Sequence, residues 1–100
     1  MRRCQGEGLY GVVLHRGAAE AGAVFVLVNH LDGTCDLLGP PPGSAFNDEG
    51  ERRFTREFEK PVSLQVAEAL LLRRRKFDSD LWAIEIEDRT GLAGLKPEKL

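Results

Sequence analysis

"RRRKFDSDLWAIEIEDR", residues 73–89, reverses its charge within a few positions. Four cations, Arg73 to Lys76, are followed by Asp78, Asp80, Glu85, Glu87 and Asp88. Read as a helix end, a turn and a strand, every charge has a local reason. Cations in the last helical turn interact favourably with the partial negative charge there, by about 0.3–1 kcal/mol each. "DSD" suits a turn, because aspartate side chains bond nearby backbone amides. "LWAIEIE" alternates: Trp82, Ile84 and Ile86 point one way, Ala83, Glu85 and Glu87 the other. A helix delivering a half-buried strand is the mark of a mixed α and β domain.

Upstream, the spacing predicts a helix over about 64–77. Lys60-Pro61 stops what precedes it, and Ser63 is a suitable N-cap. Leu64, Val66, Ala67, Leu70, Leu71 and Phe77 fall in one arc. Four segments before it read as strands: 9–15, 23–30, 34–38 and the alternating stretch from Phe54 to Phe58. The second is apolar on both faces at its middle, so it should be central and covered on both sides. Asp32-Gly33 between two apolar runs signals a hairpin. A two-residue turn there would set Leu31 opposite Thr34 and His30 opposite Cys35. "GPPPGSAFNDEG", residues 39–50, is a loop, and its prolines suit a stiff connector.

The expected fold is therefore α+β: a small antiparallel sheet of four to five strands with one main helix packed on it, in the order β-β-β-β-α-β. "MRRCQ" adds a short helical remnant at the N-terminus. Residues 1–91 form a single domain, and 92–100 are expected to be a flexible C-terminal tail.

A chain of 100 residues suffices for one core. Its 42% hydrophobic and 30% charged content is that of an ordinary globular protein. The net charge of −2 gives no push toward nucleic acid or an anionic membrane. No apolar stretch is long enough to span a bilayer or serve as a signal peptide. Cys4 and Cys35 make no disulfide framework, so the expectation is a cytoplasmic protein with reduced thiols.

Candidate sites are sparse. Cys4, His15, His30 and Cys35 lack the close pairs of a zinc site, and the acids of residues 78–87 do not converge unaided, so no metal and no cofactor is expected. Cys35 with His30 is the one plausible thiol–imidazole pair for a small-ligand or enzyme site. Arg52, Arg53, Arg56 and Arg73 to Lys76 would form a nucleic-acid surface only if the fourth strand lay beside the helix end. Four consecutive helical cations splay around the helix, and the nearby acids repel a polyanion, so nucleic acid is not the expected partner.

"GAVFVLVNHLDGT" behind a glycine-rich loop, "ERRF" after the proline loop, and above all "RRKFDSDLWAIEIEDRTG" resemble a family of small bacterial proteins known as domain of unknown function 1491. The resemblance covers about residues 1–91, and Lys76 to Arg89 is its most specific part. It implies a compact α+β domain and no assigned activity. Family members carry a longer N-terminal helix, nearly absent here. The resemblance thus implies a sheet face left for a partner to cover.

The function expected is a small, non-catalytic binding or protein-interaction module. Its partner would be a second copy or another protein. Trp82, Arg74, Glu85 and Glu87 are its candidate surface, with His30 and Cys35 as the alternative site. Against an exposed role, Trp82 would serve equally as a large core residue under the helix.

Overall fold

The computed structural model describes residues 10–17, 23–44, 46–95, 97 and 98. The helical remnant expected at the N-terminus lies outside these residues.

The elements run β1 (Tyr10–His15), β2 (Val24–Asn29), β3 (Thr34–Gly39), β4 (Thr55–Arg56), β5 (Val62–Ser63), α1 (Leu64–Phe77) and β6 (Trp82–Glu87). The sheet order is β1-β6-β2-β3-β4, with β5 also paired to β3. The α+β architecture with one main helix stands. The sheet, expected as antiparallel, is mixed: β6 runs parallel to β2, with Val24 beside Trp82 and Asn29 beside Glu87. Helix α1 supplies the crossover that a parallel pair needs. On its other side β6 meets β1 in antiparallel register, Val12 beside Glu85 and Val13 beside Ile84. The fourth strand, drawn from Phe54 to Phe58 on alternation alone, is only the two-residue β4, because β3 shares its outer edge between β4 and β5.

Ser63 caps α1 as its sequence position requires: its hydroxyl accepts from the Val66 amide at 3.3 Å. At the other end the Asp78 amide donates to the Arg74 carbonyl, and Arg74, Arg75 and Lys76 occupy the last turn. The stretch that decided the fold is thus a helix end, a turn and a strand.

Both faces of β2 are buried, as its apolar pattern demands. On the helix face Phe25, Leu27, Cys35, Leu37 and Ala83 pack with Ala67, Leu71 and Leu81. On the far face Val26, Val28, Leu38 and Ile86 pack with Phe54 and Ala93. Each fully buried aliphatic side chain contributes about 1.5–3 kcal/mol relative to an exposed one. Trp82 faces away from the helix, because its neighbour Ala83 is the residue turned toward it. It is half-buried beside Val24, not a core residue under α1.

The β2–β3 hairpin is one residue out of the expected register. Asn29 pairs with Cys35 and Val28 with Asp36. The His30 amide donates to the Thr34 carbonyl at 3.0 Å, leaving Leu31, Asp32 and Gly33 as the loop. Leu31 and Gly33 both take positive φ, 62° and 91°. Two side chains support this longer turn: Asn29 accepts from the Leu31 amide at 2.8 Å, and Asp32 from the Thr34 amide at 2.9 Å. His30 therefore stands opposite Thr34, not Cys35.

Within residues 92–100, expected from sequence to be a flexible tail, the described residues 92–95 and Glu98 contact the sheet. Leu92, Ala93 and Leu95 close the far face. Glu98 bridges to Thr55, its amide donating to the Phe54 carbonyl at 2.7 Å.

Candidate functional site

The first candidate region is the sheet edge at β1. Among the described residues β1 pairs only with β6. Its apolar side chains are unusually open: Val12 is 42% exposed, Val13 43% and Leu14 44%. An irregularity between Val13 and His15 bends the strand end, where the His15 Nδ1–H donates to the Leu81 carbonyl at 2.8 Å. Between this edge and α1 lies a cleft of about 300 Å³, walled by Leu14, His15, Ala83, Leu71 and Leu72, with Glu68 and Arg75 at its sides.

The second region is polar and sits at the opposite end of β2. His30 leaves β2 on the far face, the side on which Asp36 also lies, since Asp36 pairs with Val28. The one-residue register change creates this meeting. His30 Nε2 lies 2.9 Å from Asp36 Oδ2, and Nδ1 lies 2.7 Å from the Asp88 carbonyl oxygen. Asp36 is buried, 3% exposed, and Arg56 approaches its second oxygen at 3.4 Å. Burial opposes the charged imidazole, yet hydrogen bonds to Asp36 and to the Asp88 carbonyl, with the charges of Asp36 and Asp32, raise the His30 pKa above its ordinary value. Asp88 turns its own carboxylate the other way, accepting from the amides of Thr90, Gly91 and Ala93 at 3.2, 3.1 and 2.9 Å. The Ala93 amide bond, reinforced by those of Thr90 and Gly91 and by the charge of His30, lowers its pKa against the effect of burial.

The residues singled out by sequence do not share one surface. Cys35 is fully buried on the helix face, and burial, with the charges of Asp36, Glu85 and Glu68, pushes its thiol up to about 11. A thiol so buried is a poor nucleophile and stands on the other side of the sheet from His30. Of Cys4, His15, His30 and Cys35, the four thiols and imidazoles weighed from sequence, His30 and Cys35 stand on opposite faces, and Cys4 lies outside the described residues. Trp82 stacks under the Arg16 guanidinium, 5.8 Å from its ring centre. Glu85 accepts from the Asn29 side chain at 3.2 Å, while Glu85 and Glu87 pair across the ladder with Val12 and Tyr10.

Arg74 donates to Glu57 at 3.2 Å, which does bring the helix end beside the β4 segment. The cations gathered there are largely matched by acids. Arg53 makes two bonds of 2.7 Å to Glu98, and Arg56 lies against Asp36, while Arg52 rests 4.8 Å from the ring centre of Phe46. The sequence offers Asp36 as the one acid near Cys35 and His30, but the expected register sets it on the opposite face from both, so its pairing with His30 was not foreseen; Asp88 was read only as one of the acids after the helix. The signal for Asp36 is a lone acid inside the apolar run "TCDLL", six residues after His30.

No helix among the described residues is long and apolar enough to cross a membrane. Residues 1–96 match a family described as protein of unknown function (DUF1491). The solution structure of protein Atu0922 from A. tumefaciens is similar, with 43% identity and a TM-score of 0.74, covering 87% of this chain and 76% of that one. A crystal structure of a DUF1491 family protein from Caulobacter crescentus CB15 is similar at 31% identity and a TM-score of 0.75, covering 96% of this chain and 86% of that one. The NMR structure of a DUF1491 family protein from the same organism gives 31% identity and a TM-score of 0.71, covering 96% and 84%. No curated protein matches the chain.

Proposed function

We propose that this chain, which belongs to the DUF1491 family, is a small non-catalytic cytoplasmic binding module that takes up a polypeptide strand at its β1 edge. The observation that carries this reading is the edge itself. Natural sheets guard exposed edges with charges, prolines or covering segments, because unpaired backbone groups recruit another strand. Tyr10 to Leu14 contain no charged residue and no proline, and Val12, Val13 and Leu14 stand more than 40% exposed. The adjoining cleft offers an apolar pocket for side chains of an added strand, and strand addition draws affinity from main-chain bonds and specificity from such pockets.

A second copy of the chain is the occupant that fits without further assumption. Antiparallel self-pairing of β1 about Val12 and Val13 sets no like charges opposite each other. Glu85 and Glu87, across the ladder from Val12 and Tyr10, lie on β6, on the other side of β1 from the added strand. Trp82, Arg74, His30 and Cys35 stand outside this surface. The buried, unpaired thiol of Cys35 suits the reducing cytoplasm.

Native mass spectrometry of the untagged protein over a range of concentrations tests the reading. The expected result is a concentration-dependent dimer, or a captured polypeptide released on denaturation, abolished by Val13→Lys while the folded monomer persists. A bare monomer at every concentration that also captures no polypeptide contradicts it.

A further inference from the structure

His30 stands where three segments meet: the end of β2, the β3 carboxylate of Asp36, and the turn after β6. A carbonyl oxygen and a carboxylate oxygen only accept hydrogen bonds. The ring lies 2.7 Å from the first and 2.9 Å from the second, so both nitrogens must donate, as only the imidazolium can. The contact also fixes the first residue of a longer segment. Asp88 organises the turn that follows, and beyond it Ala93, in a left-handed conformation with φ 57°, is buried against the far face. Leu92 and Leu95 pack there with it, over Val26, Val28, Leu38, Phe54 and Ile86. A second fastening holds the distal end, where Glu98 takes two hydrogen bonds from Arg53 and donates its amide to Phe54.

We infer that protonated His30 latches the segment from Asp88 to Leu95 as a strap over the far face of the sheet, and that loss of its ring proton loosens the strap and bares that apolar face. A neutral ring keeps one N–H, so one of its two acceptors must then face a lone pair. The charged groups near His30 are Asp32 in the hairpin loop and Asp36 on β3, with the Asp88 carboxylate turned to the amides that follow it and Arg56 from β4 as the opposing cation on Asp36. Two acids, Asp36 and Asp32, and the Asp88 carbonyl hold the ring proton against one guanidinium, and the upward shift of the His30 pKa agrees with that balance. The fastening at Arg53 and Glu98 does not titrate near neutrality, so the strap opens from its Asp88 end. This latch is independent of the proposed strand addition, which concerns β1 at the outer edge of the sheet.

Amide hydrogen exchange of the whole chain from pH 5.5 to 8.5, corrected for the intrinsic rate at each pH, tests the latch. The amides of Thr90, Gly91, Ala93 and Leu95 are expected to lose protection as pH rises through the His30 titration. The loss should be about tenfold for each unit separating the His30 pKa in the latched and released strap. The amides of β2 should not follow. His30→Gln should show weak strap protection that no longer changes with pH. Nitrogen-15 shifts of the His30 ring supply a readout that needs no variant: both ring nitrogens should be protonated over the pH range in which the strap is protected. Strap protection that is constant with pH in the wild type overturns the inference. So does a His30 ring that is already neutral where the strap is protected.

Discussion

At the scale of single residues, the positions that matter most are those where a side chain answers several backbone groups. Asp88 accepts from three amides, and these bonds set the turn that carries Ala93 and Leu95 onto the sheet. Asp88→Ala is expected to cost about 1–3 kcal/mol in denaturant unfolding, because buried and half-buried donors lose their acceptor. Gly17 answers a different demand. A Cβ there would collide with the backbone carbonyls of Asp80 and Leu81, which cannot swing aside as a side chain could. Gly17→Ala should lower the unfolding midpoint, by about 1–3 kcal/mol if the two segments separate only partly. Cys35 is the converse case, a residue whose chemistry is suppressed by its place. Its thiol should resist an aqueous disulfide reagent in the native protein and react once the chain is unfolded. Rapid native reaction would contradict the burial described.

At the scale of elements, the local signals were legible and the long-range pairings were not. Ser63 announces α1 because capping is a contact between residues three apart, written in adjacent sequence. Asp32-Gly33 announces a hairpin for the same reason. Its register was misread because Asn29 and Asp32 each bind an amide two residues on, which widens the loop by one residue and turns His30 to the other side of the sheet. A slip of one residue exchanges faces, and so the pair actually formed is His30 with Asp36. The place of β6 between β1 and β2 could not be read, since no local rule links residues 82–87 to 24–29. The apolar closure supplied by Leu92, Ala93 and Leu95 was hidden by its glycines, which read as a fraying end. The edge of β1 was visible only as an apolar strand; that it lies outermost among the described residues follows from where α1 returns the chain to β6.

At the scale of the whole molecule, two titrations bound the stability. His30 has a raised pKa in the fold, so its contribution is complete below the ordinary value of 6.5 and is lost as pH rises through the folded value. Asp88 has a lowered pKa, so its contribution is present above the ordinary value of 3.8 and is lost as pH falls through the folded value. Denaturant midpoints should therefore be highest in the window between these two limits. His30→Gln should flatten the alkaline side of that profile, and Asp88→Asn should make the acid side shallower, a side shared by Asp32 and Glu98, whose hydrogen bonds also hold their carboxyls low. An unchanged alkaline side in His30→Gln would show that another group governs it.

The central claim is that β1 is the edge at which this small domain takes up a strand. The direct measurement is amide exchange along β1, residue by residue, in dilute and concentrated solutions of the untagged protein. Amides that bond to β6 should be protected throughout. The alternate amides, which point away from β6, should exchange freely when the protein is dilute and gain protection as it associates. Association that leaves those outward amides unprotected would contradict the account.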